Sequence, residues 1–173
     1  MSGDMDEDTL RNAKDETGRS LSEALQARGM SIESALASQR SNASIERFVE
    51  LHIEQGPVLE QSKHDIGVVE EIVGIIRWRA AFYGEANHAG TTPMPLRKDA
   101  FKGLTQFASG LEGVLEQHGS PSVRGTIGEV KLLPGYMGVI PAEAHFTLDV
   151  RDISLSHLQQ VNQQLRDLAQ RIA

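Results

Sequence analysis

The feature that most constrains the fold of this sequence is a strict two-residue alternation between positions 142 and 151. Apolar side chains alternate there with polar ones: Ala144, Phe146, Leu148 and Val150 against His145, Thr147, Asp149 and Arg151. Because successive side chains of a strand point to opposite faces, the pattern predicts a strand with one buried and one solvated face. Such strands are typical of antiparallel sheets that are covered on one side only.

Two segments have the pattern of the helices that would cover such a sheet. One runs from about Asp99 to Gln117, and the other begins near residues 154–156 and continues to the last residue. Both carry apolar side chains at helical spacing. These side chains are Phe101, Leu104, Phe107, Ala108, Leu111, Val114 and Leu115 in the first segment, and Leu158, Val161, Leu165, Leu168 and Ile172 in the second.

Strand patterns also flank the first helix. Residues 66–85 form a long β-rich stretch with bends at Gly67 and Gly74, and residues 123–133 form a second strand. The order from residue 66 is therefore β-α-β-β-α, and one further strand would complete a ferredoxin-like split βαβ sandwich. We predict an α/β (α+β) fold with an antiparallel sheet. The missing strand predicts either that the chain was cut or that it is one slice of a longer polypeptide.

The first 46 residues are polar and hold few large apolar groups. A helix is indicated where Ser20 and Glu23 form a capping box and Gly29 follows the last turn. Residues 47–53 alternate again and predict a strand, which a glycine–proline pair ends.

Composition excludes several classes of function. The net charge of −7 argues against a non-specific nucleic-acid binder, which needs a basic face. The absence of cysteine excludes disulfide scaffolds, thiolate zinc sites and cysteine nucleophiles. No apolar run approaches the roughly 20 residues of a membrane span, and the acidic start is unlike a signal peptide. We therefore expect a cytoplasmic protein that binds neither nucleic acid nor membrane.

Two histidines are candidates for chemistry. His52 ends the alternating segment, where an imidazole either ligates a metal or lies half-buried at a sheet edge. Gln55, its polar neighbour, either supports such a site or is solvated. His88 lies among small residues in a polar loop, where a neutral imidazole can donate to a carbonyl oxygen that gains negative charge. The alternative is that this loop only caps the following helix.

Two arginines are candidates for binding a carboxylate, because a guanidinium group can donate two parallel hydrogen bonds to it. Arg77 and Arg151 both lie on the polar faces of predicted strands. The alternative for Arg151 is a surface ion pair with Asp149 or Asp152, and Arg77 has the same ambiguity.

Four motifs of the sequence together resemble one enzyme family. They are FVELHIEQGPVLE, IGVVEEIVG, GEANHAGTTPMPLRKDA and VIPAEAHFTLDVRD. In this order and spacing they are similar to the allantoate amidohydrolase and N-carbamoyl-L-amino-acid amidohydrolase group of the two-metal aminoacylase-like peptidase superfamily. The similarity extends upstream to DETGRSLSEALQARG, so it covers nearly the whole chain.

The resemblance implies a domain organisation and an activity. Residues 1–68 would be a partial catalytic-domain segment, and residues 69–173 most of a lid and dimerisation domain. The activity would be metal-dependent hydrolysis of a linear ureido acid, allantoate or an N-carbamoyl amino acid, with release of ammonia. Two divalent metal ions, Mn or Zn, and a homodimer through the lid would accompany it, and the isolated chain is expected to be inactive. The alternative is a non-catalytic dimerisation or ligand-binding module.

The resemblance also implies roles for single residues. His52 would be a metal ligand, and Gln55 a residue on the substrate side. Arg77 and Arg151 would bind the carboxylate and ureido groups of the substrate. His88 would polarise the scissile carbonyl, in the active site of the other subunit.

One position departs from the family pattern. The residue before the VIP sequence is usually an asparagine that contacts substrate, and here it is Gly138. The other metal ligands and the glutamate pair that carries the general base would lie outside this chain.

Overall fold

The computed structural model describes residues 6–38 and 45–173. The chain divides into two compact units, Met1–Asp65 and Ile66–Ala173. The predicted division at residue 68 is one of function, between a catalytic segment and a lid, and it stays a prediction. Within the described ranges, no helix combines the length and the apolar character needed to cross a bilayer.

The described residues of the first unit, 6–38 and 45–65, contain four short helices. They are α1 (Glu7–Asn12), α2 (Leu21–Gln26), α3 (Ile32–Ala37) and α4 (Val58–Ser62). The capping box predicted for α2 is confirmed, because the Ser20 hydroxyl accepts from the Glu23 amide at 3.2 Å and the Glu23 carboxylate accepts from the Ser20 amide at 2.8 Å. Leu10 of α1 and Ile32 of α3 are buried.

The strand predicted over residues 47–53 is wrong. Within the part of the chain that the structure describes, this segment pairs with no other strand. Its apolar side chains Phe48, Val49, Leu51 and Ile53 are between 75 % and 92 % exposed. An alternating sequence becomes a strand only where a neighbouring segment supplies hydrogen bonds and buries one face, and both faces are open here.

The second unit is built on a three-stranded antiparallel sheet. Its strands are β1 (Gly74–Tyr83), β2 (Arg124–Leu133) and β3 (Glu143–Asp152), in the spatial order β1-β3-β2. Helix α5 (Ala100–His118) joins β1 to β2, and α6 (Leu155–Ile172) follows β3. The predicted α+β class and the order β-α-β-β-α are therefore confirmed. The β-rich stretch is shorter than predicted, because residues 66–73 form no strand and Ile66, Val68, Val69 and Ile72 are exposed.

The core of this unit lies between one face of the sheet and the two helices. The inward side chains of β3 are at most 4 % exposed, as their alternation predicts. They pack with the apolar stripes of both helices, and the buried members of the cluster are Phe82, Ala100, Leu104, Phe107, Leu111, Ala144, Phe146, Leu148, Val150, Leu158, Val161 and Leu165. The opposite face of the sheet carries the polar side chains, and the candidate arginines are on it.

Candidate functional site

The polar face of the sheet brings both candidate arginines onto one carboxylate. Arg77 of β1 lies directly opposite Asp149 of β3, and Thr126 of β2 lies opposite the same residue on its other side. Arg151 is two residues further along β3 and therefore projects from the same face. The Asp149 side chain thus lies between two guanidinium groups.

The contacts around Asp149 are short and specific. Arg151 donates from Nε to Oδ1 at 2.7 Å and from Nη2 to Oδ2 at 3.3 Å, while Arg77 donates from Nε to Oδ2 at 2.9 Å. The hydrogen bonds from Arg151 and Arg77 lower the pKa of the Asp149 carboxyl to about 2. The same carboxylate raises the pKa of Arg151 above its usual range. The ion pair that was one alternative for Arg151 is therefore present, with Asp149 as its partner.

Asp152, the other proposed partner of Arg151, faces the opposite way and is fully buried. Its carboxylate accepts from the Ser120 amide at 2.9 Å, the Ser120 hydroxyl at 2.7 Å and the Ser154 amide at 2.9 Å. Burial alone would raise the pKa of this carboxyl, but the hydrogen bonds outweigh it and hold the pKa below the ordinary value. Asp152 therefore links the end of β3 to Ser120 and to Ser154. Arg151 pairs with Asp149 and not with Asp152.

His88 lies in the loop that follows β1, and backbone pairing holds this loop in place. The Asn87 carbonyl accepts from the Ile140 amide and the Gly138 carbonyl accepts from the Ala89 amide, both at 2.9 Å. These bonds form an isolated bridge between His88 and Val139 beyond the end of the β1–β3 ladder. The loop is thus an extension of the sheet and not only a cap for α5.

The imidazole of His88 is oriented by its own loop. The backbone N–H of Gly90 donates to Nδ1 of His88 at 3.0 Å. Because a backbone amide can only donate, Nδ1 is the unprotonated nitrogen, and the neutral ring carries its proton on Nε2. The His88 side chain is exposed, so this Nε2–H is available to a ligand.

Arg97 fixes the far side of the same loop, and sequence reasoning missed it. It donates from Nη2 to the Ala89 carbonyl at 2.6 Å and from Nε to the Thr92 carbonyl at 3.0 Å. The Thr92 hydroxyl in turn donates to the His88 carbonyl at 2.8 Å. An arginine within a loop gives no sequence signal of its own, since its acceptors are backbone carbonyls that any residue supplies.

Gly138 has an ordinary backbone conformation, and the positive φ in this turn belongs to Gly135, at 70°. A Cβ added at Gly138 would meet only the Tyr136 ring, at 3.6 Å. Glycine is therefore not required at this position by the backbone, and a side chain fits.

The candidate residues of the second unit lie in two places. Glu143 and Arg151 are eight residues apart on β3, a separation of roughly 26 Å at the usual rise of a strand. His88 lies past the Glu143 end of the strand, because its bridge partner Val139 precedes β3. The structure therefore brings Arg77 together with Arg151, but not with His88 of the same chain.

The remaining candidates lie in the first unit. His52 is exposed, and its Nδ1 is 2.5 Å from the Ile53 carbonyl oxygen. Gln55 has a φ of 55° and precedes the glycine of the turn. The Glu54 carboxylate accepts from the amides of Val58 and Leu59 and so caps α4.

The possible metal ligands of the chain are its His, Asp and Glu side chains. Within residues 6–38 and 45–173, no group of three His, Asp or Glu side chains is close enough to hold a metal ion. A hydrolytic metal centre needs at least three protein ligands, so His52 alone does not form one. The residues present therefore do not fit a complete metal centre.

The pairing of His145, a histidine on the polar face of β3, was also missed. His145 lies 2.6 Å from Glu143, measured from Nε2 to Oε2, and its ring is roughly perpendicular to that of Tyr83, with the centroids 6.2 Å apart. The alternation of β3 places both residues on this face, but their pairing needs rotamers that the sequence does not specify.

Comparisons with known proteins agree with this fold and these motifs. A scan against protein-family models gives no match. The chain is 38 % identical over 160 residues to the allantoate amidohydrolase of Escherichia coli, covering 92 % of this chain and 38 % of that protein. It is 34 % identical over 173 residues to the N-carbamoyl-L-amino acid amidohydrolase of Geobacillus stearothermophilus, covering 100 % of this chain and 42 % of that protein.

A solved structure of an amidase of the hydantoinase/carbamoylase family from Burkholderia phymatum has the same fold over 97 % of this chain and 41 % of its own. The TM-score is 0.80 and the sequence identity is 34 %. The chain thus spans about two fifths of the length of these relatives. Over that segment, the chain is homologous to the allantoate amidohydrolase and N-carbamoyl-L-amino-acid amidohydrolase group.

Proposed function

We propose that this chain forms part of a metal-dependent amidohydrolase that cleaves a linear ureido acid, allantoate or an N-carbamoyl amino acid, and releases ammonia. The geometry at His88 is the observation that carries the proposal. Its Nδ1 is occupied by the Gly90 amide, so an outward N–H remains at Nε2. The names of the relatives, which are amidohydrolases of ureido acids, support the same reaction class.

In this proposal His88 donates from Nε2 to the scissile carbonyl oxygen. That oxygen gains negative charge as the carbonyl carbon becomes tetrahedral, and a fixed donor stabilises the charge in the transition state more than in the ground state. Arg151, with Arg77 beside it, binds the carboxylate or ureido group of the substrate. Gln55 is assigned to the substrate side on resemblance alone.

We assign His52 as one ligand of a centre of two divalent ions, Mn or Zn. Such a centre supplies an activated water in metal-dependent hydrolysis. The other ligands and the general base are assigned outside the described residues. The isolated 173-residue chain is therefore expected to be inactive.

We further propose that residues 69–173, which make up most of the second unit, form a ferredoxin-like lid, and that residues 1–68 belong to a catalytic domain. The strand order β1-β3-β2, with both long helices packed on one face of the sheet, supports the lid assignment.

We also propose a homodimer in which one copy supplies His88 and the other supplies Arg151 to a single substrate. The separation of the two residues along β3 supports this arrangement, because a ureido acid is far shorter than that strand.

The experiment measures ammonia release from allantoate and from N-carbamoyl amino acids by the native polypeptide that contains this sequence, with and without a metal chelator. Metal-dependent release is expected from one of the two substrate classes. His88→Ala should lower kcat by about 100-fold with little change in KM. The matched control is His64→Ala, which removes another exposed histidine and should leave both constants unchanged. Binding of a ureido acid without turnover would instead favour a ligand-binding module.

A further inference from the structure

We propose that Asp149 is a positioning residue, which holds Arg151 by one edge of its guanidinium group so that the opposite end, Nη1, is presented to the carboxylate of the substrate. The inference rests on the proposed function for the identity of the substrate. The juxtaposition of Arg77, Asp149 and Arg151 on one face of the sheet is the observation behind it.

The hydrogen bonds decide which atoms of Arg151 are free. Nε and Nη2 of Arg151 both donate to the carboxylate of Asp149, so that edge of the guanidinium group is used. Two contacts to one carboxylate fix the plane of the group, which a single contact would not. Nη1 is the nitrogen that this pairing leaves over, and it carries two N–H donors.

Arg77 completes the arrangement from the neighbouring strand. Its Nε donates to the same Oδ2 that accepts from Arg151, so the Asp149 carboxylate is held from both sides. The strand register fixes this contact, since Arg77 and Asp149 are directly opposite each other. The carboxylate is therefore restrained before any ligand arrives.

Burial and charge both support a role for Asp149 in orienting the arginines toward a ligand. The Asp149 side chain is 29 % exposed, against 46 % for Arg151 and 68 % for Arg77, so the guanidinium groups form the outer layer. Asp149 is ionised at neutral pH, because the hydrogen bonds from Arg151 and Arg77 keep its pKa at about 2. Two cations and one anion leave a single net positive charge, which one substrate carboxylate neutralises. Orienting a flexible arginine in advance improves affinity without a new contact to the ligand.

The experiment is a double-mutant cycle in the native polypeptide that contains this sequence, with the ureido acid that it hydrolyses as the probe. Asp149→Asn keeps the size of the side chain but removes its charge and turns one acceptor into a donor. We expect KM to rise about tenfold, with kcat within about twofold. In an Arg151→Lys background the same substitution should change KM by less than about twofold, because its effect passes through Arg151.

The matched control is Glu143→Gln, which removes a carboxylate from the same face of the same strand, where it contacts His145 and not the arginines. It should leave KM unchanged, and Asp149→Glu, which keeps the charge, should recover part of the affinity. The proposal is overturned if Asp149→Asn leaves KM unchanged, lowers kcat alone, or has the same effect with and without Arg151.

A separate measurement distinguishes this inference from the proposed function. In the 173-residue chain, nitrogen-15 NMR should show a slowly exchanging Arg151 Nε–H signal that Asp149→Asn abolishes. If the unsubstituted polypeptide hydrolyses no ureido acid, the proposed function fails, while this signal still supports the hold of Asp149 on Arg151. If the Arg151 Nε–H exchanges as fast as that of the neighbouring Arg79, Asp149 does not hold Arg151 and the inference fails.

Discussion

At His88, one backbone amide decides which ring nitrogen can act as a donor. The Gly90 N–H occupies Nδ1, and this leaves the proton of the neutral ring on Nε2. The residue that orients the imidazole is a glycine for a spatial reason. A Cβ at this position would be 3.1 Å from Cε1 and 3.4 Å from Nδ1 of His88.

The first prediction follows from that crowding. Gly90→Ala should push the imidazole away from the amide and lower kcat by about tenfold, with little change in KM, because an oxyanion donor acts mainly in the transition state. The kinetic constants of the native polypeptide on allantoate and on an N-carbamoyl amino acid provide the measurement. Gly113→Ala is the control, since nothing lies within 4 Å of a Cβ there, and it should leave activity unchanged. Equal kinetics of the two variants would contradict the role given to Gly90.

The second prediction concerns Gly138. If the family's asparagine contact is absent here, Gly138→Asn should restore one hydrogen bond to a charged group and lower KM about tenfold. The variant should fold, because the φ of Gly138 is not positive and the nearest atom to a new Cβ is at 3.6 Å. An unchanged or higher KM for allantoate and for N-carbamoyl amino acids would mean that the pocket is built for a different ligand.

Part of this site was predictable from single residues. The contact between Asp149 and Arg151 joins residues two apart on one strand, so alternation alone makes it a candidate. The contact between Arg77 and Asp149 spans 72 residues and depends on the strand register, which the sequence does not reveal. The hydrogen bonds from Arg97 to the loop were equally unpredictable from the sequence, because their acceptors are backbone carbonyls.

Among the elements, β3 is held to its neighbours by a buried carboxylate. Asp152 ends the strand and accepts from Ser120, before β2, and from Ser154, the cap of α6. Each of these donors would be left without a partner if the carboxylate were removed. Buried donors that lose their acceptor cost more than the hydrogen bond itself contributes.

The third prediction is therefore that Asp152→Ala lowers the free energy of unfolding of the 173-residue chain by about 3 kcal/mol. Chemical denaturation at neutral pH gives the value. Asp167→Ala serves as a control on α6, because within residues 6–38 and 45–173 its carboxylate accepts only from Gln163, and it should change stability by less than about 0.5 kcal/mol.

The sign of the pH dependence follows from the lowered pKa of Asp152. Its stabilisation is fully present above the pKa of an aspartate in an unfolded chain, about 4. It is lost as the pH falls through the still lower pKa of the folded state. The difference between the unsubstituted chain and Asp152→Ala should be constant from pH 5 to 7 and shrink below about pH 4. A difference that grows on acidification would contradict this account.

The elements were predictable where hydrophobic periodicity reports a core that this chain contains. β3 and α6 match their predicted stripes, and Asp99 and Ser154 cap the two long helices. The stripe predicted for α5 is confirmed except at Phe101 and Ala108, which are exposed. Periodicity failed over residues 47–53 and 66–73, whose alternating or apolar side chains are exposed. An apolar pattern predicts that one face of a segment is buried, but it does not identify the segment that packs on that face. The irregular register of β2 between Ile127 and Val130 likewise has no sequence signal.

At the scale of the whole molecule, the fourth prediction is that the purified 173-residue chain releases no ammonia from allantoate or N-carbamoyl amino acids. The reason is that a single candidate ligand, His52, does not chelate a metal ion. Calorimetry with Mn²⁺ or Zn²⁺ should accordingly show no site tighter than micromolar. Metal-dependent turnover by this chain, or a sub-micromolar site, would contradict the assignment of ligands.

The most direct test of the central claim is whether two defective copies restore each other. His88→Ala and Arg151→Ala variants of the native polypeptide would be prepared separately, then unfolded and refolded together. If one copy supplies His88 and the other Arg151, half of the dimers are mixed and each mixed dimer has one intact site, so about a quarter of the unsubstituted activity should return. Each variant refolded alone should stay far below that level of activity. A mixture no more active than its components, with mixed dimers shown to be present, would contradict a ureido-acid site shared between two copies of this chain.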